Sequence, residues 1–441
     1  MRENWKSRIG FIFAALGSAV GLGSIWRFPY VVGENGGAAF ILLYILCLLL
    51  IGFPVLLSEI VIGKATQKSP SLAFKELTKS DIWAKAGKMT LITGFVISSF
   101  YSVVAGWGLG YLIEAIKGNL TTIETSTQAV SRFTSLSANP YWCVGFHFIF
   151  LVLAVAVLFS GVRKGIEVGS KIMMPLLLFV LGVLVINGLS MPDGMKGVKF
   201  LFSPDFSTVT PQVFLMALGQ AFFTLSLGQG TMITYGSYLP KKDKVFNNCG
   251  IVVILNTCIA ILMGVAIFTA VFSTGIEPTS GPALLFETLP LVFTKISGGY
   301  FFSILFFLLV TIAALTSEIS ALEPMIAYLI DRKKMARKKA VLLTSIGAFI
   351  LGVPSALSFS LLTNVAFNMS FFDLVSFVSI NILVPLGGLS AVLLVGWKTK
   401  KHLVDLLEDK HKSVQWYFTV CTRYVAPVLI GLILLDLLGV Y

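Results

Sequence analysis

One segment near the N-terminus reads Gly17-Ser18-Ala19-Val20-Gly21-Leu22-Gly23-Ser24-Ile25-Trp26-Arg27-Phe28-Pro29-Tyr30. It lies in an apolar run that is long enough to cross a membrane. The segment holds three glycines, each of which lowers helix stability by about 1 kcal/mol relative to alanine. We therefore predict a broken helix in the middle of the membrane. Because unpaired backbone groups are tolerated there only where they line a cavity or bind a ligand, the break predicts a binding site. Its free N–H groups suit an anion and its free C=O groups a cation.

The composition is that of an all-α polytopic membrane protein. The chain has 441 residues, of which 56% are hydrophobic and 12% charged, about half the charged fraction of a soluble domain. The net charge is +12, but the basic residues cluster in alternate loops, which argues against a nucleic-acid partner. By the positive-inside rule this pattern places the N-terminus in the cytoplasm.

Hydropathy predicts eleven transmembrane helices, so the C-terminus is expected on the extracellular side. Their approximate bounds are 8–31, 38–63, 88–116, 140–160, 164–189, 211–238, 244–273, 299–330, 337–354, 370–396 and 413–438. The sixth contains a second interrupted segment, Gln220 to Gly230. Two interrupted helices five spans apart indicate inverted repeats with a transport site near the midplane. We expect the first repeat in 1–190, the second in 191–396 and an appended helix in 397–441.

Nothing in the sequence predicts an enzyme. The three histidines, His147, His402 and His411, have neither metal-ligand nor catalytic spacing. The five cysteines lie in or beside spans, so no disulfide is predicted. A single hydroxyl in a span is usually a contact between helices. Here, however, several polar residues within spans accompany the two interrupted helices, which favours a functional site.

The ordered motifs of the chain resemble those of the bacterial neurotransmitter:sodium symporters, in their eleven-helix subgroup. The motifs are Arg8-Ile-Gly to Arg27-Phe-Pro, Glu34-Asn-Gly-Gly, Gly52-Phe-Pro to Glu59, Ser160-Gly-Val-Arg-Lys-Gly-Ile-Glu, Gln220 to Tyr238, and Thr316-Ser-Glu-Ile-Ser to Pro324. The resemblance implies a LeuT-type fold of 5+5 inverted repeats with broken helices 1 and 6. It also implies a symporter that couples amino-acid uptake to sodium by alternating access.

The resemblance also implies how the parts of an amino acid would be held. The carboxylate would meet the N–H groups of Leu22 and Gly23 and the hydroxyl of Tyr101. The amine would meet the carbonyls of Ala19, Phe223 and Thr224 and the side chain of Ser226. The substrate side chain would lie among Ile97, Phe223, Gln229, Glu318 and Ala321. Amine-transporting relatives carry an aspartate where this chain has Gly21, so an amino acid is favoured over a monoamine.

One or two sodium ions are implied. One site would use the carbonyls of Gly17, Val20 and Ala313 and the hydroxyls of Thr316 and Ser317. The other would use Ala19, Ser24, Thr224, Asn256 and the substrate carboxylate. The family usually has asparagine at position 24, and the shorter Ser24 leaves the stoichiometry open. Chloride also stays open, because Ala260 replaces the hydroxyl or carboxylate of relatives, although Tyr44, Gln220, Thr224 and Asn256 are candidate contacts.

Two gates are implied by the same resemblance. The outer gate would pair Arg27 with Asp373, with Phe223 as a lid over the substrate. The inner gate would pair Arg2 with Asp331 beside Trp5 and Tyr238. Gly165 and Pro175 have the spacing of a family motif at which span 5 unwinds to release sodium; a plain proline kink is the alternative.

The substrate prediction depends on Glu318, because a buried carboxylate requires a partner or a proton. No lysine or arginine lies nearby in spans 1, 3, 6 or 8 except Arg27, which the gate would use. The partner is therefore predicted to be the substrate, a cationic amino acid such as lysine, arginine or ornithine. One alternative is a bulky neutral side chain such as tryptophan or tyrosine. Others are a Glu318 that is protonated or bonded to Gln229 or Ser317, and a proton-coupled transporter on the same fold.

Overall fold

The protein was analysed as a computed structural model that describes residues 3–240, 243–275, 284–399, 407 and 411–437. Within them, nine helices are long and apolar enough to span a membrane, and Arg8–Ala19 with Gly23–Glu34 forms a tenth span bent by 55°. The shorter Pro211–Phe223 precedes the second break, and Thr231–Gly236 follows it. The all-α polytopic fold with broken helices 1 and 6 is thereby confirmed.

The unbroken spans fall where hydropathy placed them. Spans 2 to 5 are Ala38–Thr66, Asp81–Ile116, Pro140–Phe159 and Val162–Leu189. Spans 7 to 11 are Val245–Thr274, Gly299–Lys333, Arg337–Ala356, Phe371–Lys398 and Lys412–Asp436. Shorter helices in the connections are Pro70–Thr78, Ser126–Ser137, Gly194–Phe202 and Leu289–Lys295.

Span 1 lies at the centre of the bundle, where its first half packs on spans 5, 7 and 8. Glycine permits this close approach: a Cβ on Gly17 would lie 3.0 Å from Cβ of Thr316. The first half ends at Ala19, and the following Val20 leaves helical geometry with φ −81° and ψ 73°. The interruption predicted from Gly17, Gly21 and Gly23 therefore faces the interior rather than lipid.

The break in span 6 depends on residues in left-handed geometry. Ser226, Gly228 and Gly230 have φ of 53°, 74° and 77°. A Cβ on Gly228 would lie 2.0 Å from the Val384 carbonyl oxygen, so only glycine fits. Its N–H donates to Oε1 of the fully buried Glu59 at 2.7 Å. Glu59 therefore provides a hydrogen-bond acceptor that the interrupted helix lacks.

Contacts between connections define two ends of the bundle. At one, here called the basic end, Glu3 accepts from the N–H of Val162 at 2.6 Å and Arg337 Nε donates to the Leu158 carbonyl at 3.0 Å. Lysines and arginines crowd its connections. The opposite end carries Arg27 and the helix Leu289–Lys295. Span 5 is helical throughout from Val162 to Leu189, so the unwinding predicted near Gly165 is not present in this conformation.

Candidate functional site

A cavity with an empty volume of ≈ 530 Å³ lies between the two helix breaks. Nine of the predicted substrate-binding residues line it: Ala19, Leu22, Gly23, Ile97, Tyr101, Phe223, Ser226, Gln229 and Ala321. It is also lined by residues that the sequence did not single out for the substrate: Ser18, Gly21, Leu227, Ser317 and Val384. The predicted Thr224 and Glu318 are not among its lining residues.

Hydroxyl groups converge on the break of span 1. The Leu22 N–H donates to the Tyr101 hydroxyl at 3.2 Å. A Cβ on Gly21 would lie 2.8 Å from the Tyr101 hydroxyl oxygen and 2.3 Å from the Ser317 Oγ. Any larger side chain at position 21 would therefore displace these hydroxyls. The arrangement offers an anion a backbone N–H and a phenol at the start of a helical segment.

The carbonyl of Ser18 joins the two breaks to span 8. It accepts from the Ser226 hydroxyl at 2.8 Å and from the Ser317 hydroxyl at 3.1 Å. The Ser226 hydroxyl proton, predicted to face the substrate amine, is thus committed to the protein itself. The Ser226 oxygen can still accept a hydrogen bond.

Ser24 meets three other residues through oxygen atoms. Its Oγ lies 3.3 Å from the Ala19 carbonyl, 3.0 Å from Thr224 Oγ1 and 3.0 Å from Asn256 Oδ1. Asn256 Nδ2 also donates to Thr224 Oγ1 at 3.1 Å. Ser24, Thr224 and Asn256 are almost completely buried. This cluster brings together all four protein residues predicted for one sodium site.

A second oxygen cluster lies where span 8 meets the end of the first half of span 1. Thr316 Oγ1 donates to the Ala313 carbonyl at 2.9 Å, and Ser317 Oγ donates to the Gly17 carbonyl at 3.2 Å. Val20, fully buried, ends this half-helix. Hard, uncharged oxygen donors suit a weakly held alkali cation better than a transition metal. The described residues contain no group of three His, Cys, Asp or Glu that could hold a metal ion.

The predicted chloride contacts are close to the first oxygen cluster. Gln220 Nε2 donates to the Gly23 carbonyl at 3.1 Å. The Tyr44 hydroxyl is buried beside the side-chain hydroxyls of Thr224 and Thr257. Ala260 is fully buried.

Glu318, predicted to face the substrate side chain, is not among the residues that line the cavity. Its side chain is completely buried, and Oε1 accepts a short hydrogen bond from the Ser98 hydroxyl on span 3. Among the described residues Oε2 has no partner. Gln229 does line the cavity, and its side-chain amide makes no hydrogen bond to any described residue. The pocket is therefore bounded by an amide rather than a carboxylate, because Glu318 points to span 3.

The predicted outer pair is not formed in this conformation. Arg27 Nη1 donates to Gln220 Oε1 at 2.9 Å, and its guanidinium lies 5.2 Å from the centre of the Phe223 ring. Asp373 Oδ2 instead accepts from the Ser370 hydroxyl at 2.7 Å. Both residues are described, and no ion pair joins them. The pair is absent because Gln220 holds Arg27 and Ser370 holds Asp373.

The basic end is closed by the N-terminal segment. Trp5 is 3% exposed; its backbone N–H donates to the Tyr238 carbonyl and its indole N–H to the Tyr235 carbonyl, each at 3.0 Å. Asp331 Oδ2 accepts from the backbone N–H of Ser69 at 2.8 Å. Its predicted partner, Arg2, lies outside the described residues.

A buried ion pair that the sequence interpretation missed lies beside this closure. Glu323 on span 8 receives two hydrogen bonds from Arg337, at 2.9 and 2.8 Å, and a third from the Tyr238 hydroxyl at 2.7 Å. Glu323 is fully buried. The sequence did contain a signal for this pair: Glu323 is an acidic residue inside span 8, and Arg337 stands at the start of span 9.

Comparison with known proteins agrees with this architecture. The family model described as "Sodium:neurotransmitter symporter family" matches residues 2–137 and 142–441. The sodium-dependent transporter YhdH of Bacillus subtilis (strain 168) is 38% identical, covering 99% of this chain and 98% of the relative. A sodium-dependent transporter of Haemophilus influenzae is also 38% identical, with coverage of 99% and 98%.

Among solved structures, that of MhsT in complex with L-phenylalanine superposes with a TM-score of 0.91 at 40% identity. The match covers 99% of this chain and 100% of that one. Both the fold and the sequence of this chain therefore agree with the LeuT-type arrangement expected from the motifs. The chain belongs to the sodium:neurotransmitter symporter family, a family of membrane transporters, and is a sodium-coupled symporter.

Proposed function

We propose that this protein couples sodium entry to the uptake of a neutral amino acid with a large side chain. The observation that carries the proposal is the cavity between the two helix breaks, which is lined by Gln229 and not by Glu318. A cationic side chain would need the Glu318 carboxylate, which is buried and bonded to Ser98. The MhsT relative, solved in complex with L-phenylalanine, supports the same substrate class.

The substrate would lie with its α-carbon between the breaks. Its carboxylate would meet the N–H groups of Leu22 and Gly23 and the Tyr101 hydroxyl. Its amine would meet the carbonyls of Ala19, Phe223 and Thr224 and the Ser226 oxygen. Opposite helix-end dipoles favour these two charges. The side chain would extend toward Ile97, Gln229 and Ala321, where Gln229 can bond an indole or phenol and the apolar walls hold its rings.

Two sodium ions would bind beside it. The first would lie in the Ser24 cluster of Ala19, Ser24, Thr224 and Asn256, completed by the substrate carboxylate. The second would be held by Gly17, Val20, Ala313, Thr316 and Ser317. Because the first ion shares a ligand with the substrate, each would raise the affinity of the other by the same factor.

Transport would follow alternating access with the basic end in the cytoplasm. The present conformation, with Trp5 buried and Arg27 not paired with Asp373, would be the one that admits substrate from outside. Sodium and substrate would favour closure over Phe223 through their higher affinity for the closed state. Release would then require the Trp5 contacts to break.

A competition binding panel on purified protein tests the substrate class. We expect tryptophan, tyrosine, phenylalanine and leucine to compete in sodium but not in choline, and lysine and arginine to fail in both. Glu318→Gln should leave this ranking unchanged, because the amide retains an acceptor for Ser98. Strong binding of lysine or arginine that Glu318→Gln abolishes would contradict the neutral-substrate proposal. Binding that depends on pH but not on sodium would favour proton coupling.

A further inference from the structure

The turn between spans 8 and 9 carries a dense set of cations at the basic end. Span 8 ends at Lys333 and span 9 begins at Arg337, so residues 334–336 are the whole connection. Because two spans end here, the side chains of the turn stand at the level of the membrane surface. The exposed basic residues in and beside it are Arg332, Lys333, Lys334, Lys338 and Lys339.

These exposed cations have no acidic partners. Within the described part of the chain, none of their side chains forms a salt bridge or a hydrogen bond. Lysines in other connections of the basic end do form such pairs, as Lys75 does with Asp81 and Lys171 with Glu167. Arg337, which belongs to the same turn, is already held by its buried ion pair. The turn therefore presents a positive surface that the described residues leave without neutralisation.

The start of span 9 adds backbone donors to this surface. Its N-cap residue, Ala336, has no side chain able to accept a hydrogen bond, and its first turn contains no acidic residue. The first N–H groups of a helix have no partner within the helix, and with the helix dipole they attract anions. Lys338 and Lys339 lie in this first turn. A phosphate placed here would meet backbone N–H groups and ammonium groups together.

An apolar stripe continues from these charges along span 9. Leu343, Ile346 and Ile350 follow Lys339 at helical spacing, so all four lie on one helix face. The three apolar side chains are 52%, 54% and 64% exposed. In a chain that spans a membrane, exposed aliphatic side chains contact lipid tails, which are equally apolar. This face therefore matches a molecule with an anionic head and a long apolar chain better than it matches a soluble anion.

We propose that the turn between spans 8 and 9 binds an anionic phospholipid of the leaflet at the basic end. Its phosphate would lie at the start of span 9, and one acyl chain would follow the stripe from Leu343 to Ile350. Each lysine or arginine near an anionic membrane surface strengthens the attraction about fivefold. The lipid would touch both spans that meet at the turn.

The test measures lipid binding to the full-length protein in detergent micelles by native mass spectrometry. Dioleoyl phosphatidylglycerol should bind at least about tenfold more tightly than dioleoyl phosphatidylcholine, which has the same chains and no net charge. Glycerol 3-phosphate, which has the phosphate without the chains, should not displace the bound phosphatidylglycerol even in large excess.

Paired variants locate the site. Lys338→Gln with Lys339→Gln should weaken phosphatidylglycerol binding about 10- to 25-fold and leave phosphatidylcholine binding unchanged. Lys117→Gln with Lys199→Gln is the matched control. It also removes two exposed lysines, but from the end of span 3 and from the helix Gly194–Phe202. The control should bind phosphatidylglycerol as wild type does.

Three results would overturn the proposal. One is equal affinity for phosphatidylglycerol and phosphatidylcholine. Another is a Lys338→Gln, Lys339→Gln variant that binds phosphatidylglycerol no more weakly than the control variant. The third is displacement by glycerol 3-phosphate, which would make a soluble anion the occupant. None of these results depends on which amino acid the protein transports, so failure here leaves the proposed function untouched.

Discussion

Replacing Ser24 by alanine tests the first sodium site most sharply. The Ser24 Oγ is within 3.3 Å of three other oxygens, from Ala19, Thr224 and Asn256. Ser24→Ala removes one oxygen and keeps the volume nearly constant. A hydrogen bond to a charged group is worth about 1.5–3 kcal/mol, and a contact to a bound cation should be similar. We therefore expect the sodium concentration for half-maximal amino-acid binding to rise about 10- to 150-fold.

The assay is equilibrium binding of labelled amino acid over a sodium titration, with choline holding ionic strength constant. Ser303→Ala is the matched control: Ser303 is fully buried, and among the described residues its hydroxyl bonds only the Tyr300 carbonyl, at 2.8 Å, outside the site. That variant should titrate like wild type. If Ser24→Ala shifted the sodium midpoint less than twofold while the protein stayed folded, the Ser24 cluster would not be a sodium site.

Three further predictions concern the carboxylate site, the break of span 6 and the closed basic end. Tyr101→Phe removes the hydroxyl at 3.2 Å from the Leu22 nitrogen and should weaken amino-acid binding about tenfold. Tyr300→Phe, outside the cavity, should not weaken it. If Tyr101→Phe and wild type bound the amino acid with equal affinity, Tyr101 would not belong to the carboxylate site. Gly228→Ala places a Cβ 2.0 Å from the Val384 carbonyl oxygen at φ +74° and should lower the Tm, since left-handed geometry alone costs about 1–2 kcal/mol. Gly145→Ala, whose Cβ would meet nothing within 4 Å, should not lower it, and equal Tm values would contradict the geometry of the break. Glu323→Gln removes the carboxylate that pairs with the partly buried Arg337. Breaking a fully buried pair typically costs about 3–5 kcal/mol, which is the upper bound here, so hydrogen exchange of residues 3–7 and 231–238 should accelerate. Glu76→Gln, in a solvated pair with Lys68, should have no such effect, and protection equal to wild type in Glu323→Gln would show that the pair does not hold the basic end closed.

Most of the fold could be predicted from the sequence, because membrane spans follow from long apolar runs alone. The glycines of spans 1 and 6 also located both breaks. The largest boundary difference is in span 3, which begins at Asp81 rather than 88. Its first two turns carry charged residues and so lie outside the apolar run. The helix Ser126–Ser137 lies between the predicted spans 3 and 4, where hydropathy predicts no helix, although its capping box of Thr125 and Gln128 is a recognisable start signal.

Side-chain direction and conformational state could not be read from sequence. Glu318 occupies a position next to two site residues, but whether it faces the pocket or span 3 depends on tertiary packing against Ser98. The Arg27–Asp373 pair would form in only one conformation of the transport cycle. In the conformation described here, both residues have other partners. The Glu323–Arg337 pair joins two spans across a turn, and hydropathy carries no information on such pairing.

Uptake into proteoliposomes tests sodium-coupled transport most directly. The measurement is the entry of radiolabelled tryptophan under an inward sodium gradient, compared with equal sodium on both sides and with choline replacing sodium. We predict accumulation above the outside concentration only with the gradient, and collapse of that accumulation when a sodium ionophore is added. Accumulation that is equal in choline, or that follows a proton gradient instead, would contradict sodium-coupled uptake of a large neutral amino acid.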